Sequence, residues 1–228
     1  MKNSSRKYFS DLCTSLSKIE VRRENLDSID LDEALEEILQ RISKTKVTGG
    51  KVIFIGNGGS AAIASHQAVD FWKNGGIRAV SFNDTSLLTC ISNDYGYEHV
   101  FEKPIEMFAE SSDVLIAISS SGKSRNILRG VEIARSKNCF VITLSGFKPD
   151  NPLRRKGRLN FYVPSESYGF VEISHLTICH YLADRLCAQN QPHSSAVRKM
   201  GTVLAGTGLT PPLKSKPVPA RTVPGTKR

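Results

Sequence analysis

The chain has 228 residues, 39% of them hydrophobic, and a formal net charge of +9. That length suits one domain with at most an appendage, and no apolar run approaches the roughly 18 residues that a bilayer span needs. The first residues also lack the apolar stretch and small-residue cleavage site of a secretion signal. The charge is not evidence for a nucleic-acid-binding fold: seven basic residues and no acid fall in 189–228, which leaves +2 for residues 1–188. The five cysteines, Cys13, Cys90, Cys139, Cys179 and Cys187, are odd in number and form no C-x-x-C pair. Free thiols in a reducing compartment follow, and the protein is expected in the cytoplasm.

Two helices are expected first. In the second, Leu31, Ala34, Leu35, Ile38, Leu39 and Ile42 keep the i, i+3, i+4, i+7 spacing of one helical face. Ser28 or Asp30 stands where a cap is needed, and acids fill the first turns, as the helix dipole favours. Short apolar runs rich in β-branched residues recur at 51–55, 77–82, 114–119, 140–145 and 159–163, most of them separated by segments of helical length. Such strands alternating with helices predict a parallel sheet covered on both faces. A last amphipathic helix is expected over about 171–186. Residues 189–228 hold six of the ten prolines and few large apolar side chains. They cannot bury enough surface to offset ordering entropy, so a disordered basic tail is expected after a domain spanning 1–188.

Ligands of an open parallel sheet collect at the carboxyl ends of its strands. The first run ends in Gly56-Asn57-Gly58-Gly59-Ser60, and the third in Ser119-Ser120-Ser121-Gly122-Lys123-Ser124, each before a helix. Glycine lets the backbone turn sharply and approach a ligand, and the N–H groups of a helix start attract an anion. The hydroxyls of the second loop suit phosphate oxygens, and Lys123 adds a cation. Gly56-x-Gly58-x-x-Ala61 also fits a dinucleotide fingerprint, but its ribose acid would have to be Asp84, 28 residues on, where about 20 is usual. Glycines and serines also shape plain turns and caps. Two such loops after two strands of one sheet favour a phosphate.

His66 and Asp70 are spaced i, i+4 and share a helix face. Glu172, His175 and His180 fall on the last helix, with His180 about 80° around the axis from Glu172. Two histidines and two carboxylates suit Zn²⁺, although a histidine on an apolar helix is more often a hydrogen-bonded core or interface residue. Cys179 points about 100° away from its neighbour His180 and reads as packing.

Taken together, the two loops resemble the signature loops of the SIS (sugar isomerase) domain, and the subtype is similar to the bacterial phosphoheptose (sedoheptulose 7-phosphate) isomerases. Ser92-Asn93-Asp94-Tyr95-Gly96-Tyr97 resembles that subfamily's Asn-Asp turn, and the similarity covers roughly 30–188. The resemblance implies an SIS-type three-layer α/β/α sandwich with a five-stranded parallel sheet and an N-terminal helical extension. It implies a homo-oligomer, commonly a tetramer, with active sites at subunit interfaces. It places a phosphorylated sugar with its phosphate among Ser119, Ser120, Ser121 and Ser124. Asn57, Gly58, Gly59, Ser60, Asn93, Asp94 and Glu172 would meet the rest of the substrate. It further implies a zinc ion held by His66, Asp70, Glu172 and His180, with Asp70 and His180 carrying protons between C1 and C2.

Two positions depart from the family pattern: Asp70 stands for a Glu, and Glu172 for a Gln. The first shortens the reach of a proton carrier by a methylene. The second adds a negative charge that strengthens metal binding but opposes an enediolate. The alternative is a non-catalytic SIS module that senses a sugar phosphate or docks a partner such as a replication initiator. A nucleotide-dependent oxidoreductase is the third reading.

Overall fold

A computed structural model describes residues 4–190. The chain opens with α1 (Ser5–Ser17), capped by Ser4, whose hydroxyl accepts from Lys7 N. None of the residues of α1 is buried, and Tyr8 meets Phe170 edge to face at 4.9 Å. A short hairpin follows, β1 (Glu20–Arg23) and β2 (Ser28–Ile29). Next comes α2 (Leu31–Val47), whose cap Asp30 accepts from Asp32 N and Glu33 N. Its buried residues include Ala34, Leu35, Ile38, Leu39 and Ile42, the face expected from the spacing.

The α/β core then runs β3 (Val52–Gly56), α3 (Gly59–Lys73), β4 (Ala79–Ser81), α4 (Thr85–Tyr95), α5 (Glu102–Phe108), β5 (Val114–Ser119), α6 (Arg125–Ser136), β6 (Phe140–Ser145), β7 (Leu159–Tyr162) and α7 (Tyr168–Asn190). The strand order is β2-β1-β7-β6-β5-β3-β4. The pairs among β3 to β7 are all parallel, as expected for five strands. The sheet nevertheless has seven strands, not five: β1 pairs antiparallel with β7, Val21 opposite Phe161, and β2 pairs antiparallel with β1. The two predicted N-terminal helices are thus separated by a sheet extension. Burying Val21 on a strand edge that would otherwise stand unpaired accounts for the hairpin.

Each central strand is buried on both faces. Val52 and Phe54 join α2, α3 and α7 in one core, with Ile38, Phe71 and Leu182. Ile53 and Ile55 join α5 and α6 in the other, with Ile105, Ile127 and Val131. That makes three layers. Phe71 of α3 sits edge to face on Phe54 at 5.0 Å, both fully buried, which seats α3 on the sheet. Gln189 and Asn190, placed with the tail by composition, belong to α7; Asn190 Oδ1 accepts from Lys46 Nζ at 2.8 Å. The remainder of the expected tail lies outside the described residues.

Candidate active site

β3 and β5 are parallel neighbours in register, Gly56 opposite Ile118. The loops 56–60 and 119–124 therefore leave the same edge of the sheet side by side, one leading into α3 and the other into α6. Gly58, at φ 54° and ψ −123°, caps α3 in a conformation open only to glycine. Between the loops lies a cavity of about 250 Å³, walled by Asn57, Gly58, Gly59 and Ser60 on one side and Ser119, Ser120, Ser121 and Ser124 on the other. Tyr168 and Glu172 of α7 close it. Ser119 and Ser120 are buried. The Ser120 hydroxyl has no hydrogen-bond partner among the described residues, which leaves an unmet donor at the base of the loop. Ser121 Oγ accepts from Lys123 N at 3.3 Å, while the Lys123 side chain is exposed and off the cavity wall.

Asn57 is fixed by neighbours that the sequence did not single out. It exchanges amide hydrogen bonds with Asn126 of α6 at 2.9 and 2.8 Å, and its Oδ1 also accepts from Tyr97 Oη at 3.0 Å. The signal for Tyr97 was its place in the Asn-Asp turn; Asn126 and Tyr168 carried none. Glu172 lies over the start of α3. A Cβ on Gly59 would come within 2.5 Å of Glu172 Oε1, so glycine there makes room for the carboxylate at the positive end of the helix. Asn93 and Asp94 do not reach this cavity. They sit exposed on the last turn of α4, where Asn93 Nδ2 donates to Asp94 Oδ1 at 2.9 Å.

Further along α3, His66 and Asp70 come together with His180 of α7. Asp70 Oδ2 is 3.3 Å from His66 Nε2 and 3.7 Å from His180 Nδ1. One ligand atom from each lies within 4.8 Å of the others. The two rings meet at 66° with centroids 5.3 Å apart. Two imidazoles and one carboxylate fit the donor set of a divalent zinc site with an open position. Glu172, expected as a fourth ligand, is outside the group, because its carboxylate is turned toward Gly59. His66 is seven residues along α3 from Gly59, about 10 Å at 1.5 Å per residue.

The third histidine of α7 belongs to the core. His175 is fully buried, and its Nε2 donates to the Ser145 carbonyl at 3.2 Å. Burial, only partly countered by that bond, pulls its pKa down to about 4. Cys179 is also buried, which pushes its thiol up to about 12, so it is a packing residue and not a nucleophile.

The SIS domain family matches residues 8–146. The phosphoheptose isomerase of Helicobacter hepaticus is 36% identical over 169 residues, covering 70% of this chain and 86% of that protein. Among solved structures, the phosphoheptose isomerase of Neisseria gonorrhoeae superimposes with a TM-score of 0.67 at 29% identity, over 79% of this chain and 96% of the other. That of Francisella tularensis gives 0.68 at 25% identity, over 80% and 96%.

Proposed function

Because the chain belongs to the SIS-domain family and, within it, to the phosphoheptose isomerases, we propose that it is an enzyme that interconverts the ketose and aldose forms of a phosphorylated sugar, with a heptose 7-phosphate as its substrate. The observation that carries this reading is the placing of both groups by α3: it starts at the anion-suited cavity and, about two turns on, carries His66, with Asp70 one turn further and facing His180 of α7. In the proposed reaction Ser119, Ser120, Ser121 and Ser124 hold the phosphate, and Asn57 and Glu172 orient the sugar. Binding energy from the remote phosphate supplies alignment of the reacting carbons. Asp70 takes the proton from C1 of the ketose and returns it to C2, while His180 moves a proton between the two oxygens. His66, Asp70 and His180 would hold a divalent ion, for which Zn²⁺ is the natural candidate, and that ion would polarise the substrate oxygens.

We further propose a homo-oligomer, a tetramer by the family pattern. Val69 and Trp72 of α3 and Ile173 and Tyr181 of α7 are exposed apolar side chains on helices that carry the site. Asn93 and Asp94, away from the cavity of their own chain, would then serve that of a neighbouring subunit. Among the described residues no helix is long and apolar enough to cross a membrane. Incubating the protein with five-, six- and seven-carbon sugar phosphates and following the ketose and aldose forms by NMR tests the reading. Interconversion of none of them would overturn it.

A further inference from the structure

The 119–124 loop does not stand alone. The segment after β6 passes beneath it and is bolted to it twice through backbone: Gly146 N donates to Ser120 O at 3.0 Å, and Leu153 N donates to Gly122 O at 3.1 Å. Asn151 lies between these two bolts with no exposed surface. Its Nδ2 donates to Ser145 Oγ, Gly146 O and Lys148 O at 2.9–3.2 Å, and its Oδ1 accepts from Arg154 N at 3.1 Å. The same Oδ1 is where a side chain on Gly122 would go: a Cβ there would come within 2.0 Å of it, and Gly122 holds φ at +62°. The loop therefore rests directly on the Asn151 amide. Arg154 anchors this support to the rest of the sheet, pairing with Glu20 of β1 and stacking over the Tyr162 ring at 3.9 Å.

We propose that Asn151 is a positioning residue for phosphate binding. It does not line the cavity, and every one of its side-chain bonds stays within the support. Its action is to hold Ser120 and Gly122 where the loop's hydroxyls and N–H groups converge. A buried amide with both ends engaged is costly to disturb, and removing it leaves the carbonyls of Gly146 and Lys148 short of a donor. The freed loop loses its preorganisation for the phosphate. The reacting groups, on α3 and α7, keep their places.

The inference rests on the reading of 119–124 as the phosphate cradle, and the test separates the two. Inorganic phosphate is used as a competitive inhibitor of the full-length enzyme, wild type and Asn151→Ala, alongside KM and kcat for the sugar phosphate. The expected result is a Ki for phosphate and a KM that rise together by roughly tenfold or more, with kcat per folded molecule falling by less, as the alignment that the phosphate supplies weakens. A variant that loses kcat in proportion to its folded fraction, with Ki and KM unchanged, would show a merely structural role and overturn the proposal. A wild type indifferent to phosphate overturns the cradle itself. Hydrogen exchange on the wild type avoids any folding defect of the variant. Saturating phosphate is expected to protect 146–154 together with 119–124, and protection confined to 119–124 would contradict the proposal.

Discussion

Asp70 on α3 and His180 on α7 meet at 3.7 Å, Oδ2 to Nδ1, so one carboxylate joins the two helices that wall the cavity and also faces His66. If this trio holds a divalent ion, the purified protein carries about one per chain. His66→Ala and His180→Ala each lose it, since a site with three protein ligands rarely survives the loss of one. Elemental analysis of the three proteins checks this, and a wild type without metal that is fully active would remove the ion from the account.

Ser121→Asp is expected to abolish binding of sugar phosphate while leaving the fold intact. Ser121 is only partly exposed on the cavity wall. Two unit charges about 4 Å apart at an effective dielectric of about 20 repel by about 4 kcal/mol, a loss of roughly a thousandfold in affinity. Calorimetry with the sugar phosphate reads it directly; unchanged affinity would remove the loop from the site.

His175 gives the fold a pH dependence. Its pKa is about 4 in the folded protein and about 6.5 when unfolded. Between those values the unfolded chain binds more protons, so stability is full above about pH 6.5 and falls as the pH drops toward 4. The loss is on the order of 3 kcal/mol at the low end. Urea unfolding at pH 7 and at pH 5 is expected to show the decline, and His175→Gln is expected to flatten it over that window.

Trp72 is about half exposed on α3, one turn from the exposed Val69. If that face is a subunit contact, light scattering finds a tetramer for the wild type and smaller species for Trp72→Glu, with far-UV circular dichroism unchanged. A monomeric wild type would contradict the oligomer.

Much of this was legible in the sequence because it depends on continuous patterns. The central parallel strands are near-continuous apolar runs, as in Val52–Gly56 and Val114–Ser119, and the buried stripe of α2 follows a single period. The β1–β2 hairpin was not legible: Glu-Val-Arg-Arg offers one buried side chain, and β2 has two residues. In the site, the i, i+4 spacing foretold that His66 and Asp70 share a face. The angle expected between Glu172 and His180 described their own helix alone. It carried no information about Gly59, whose lack of a side chain leaves room for the Glu172 carboxylate at the start of α3. The amide pair of Asn57 and Asn126 and the support by Asn151 join residues far apart in the chain. No local spacing encodes such contacts.

The central claim is that Asp70 moves a proton between C1 and C2 of a phosphorylated sugar, and deuterium incorporation tests it most directly. Sedoheptulose 7-phosphate is incubated in D₂O with wild type, Asp70→Asn and Asp70→Glu, and the label is located by NMR. Deuterium is expected at the exchanging carbons with wild type. A rate lower by roughly 10²–10⁴ is expected with Asp70→Asn, whose amide cannot accept the proton, while binding of the sugar phosphate persists. Asp70→Glu, which restores the family's longer reach, is expected to keep or raise the rate. Wild-type exchange that survives intact in Asp70→Asn would contradict the account.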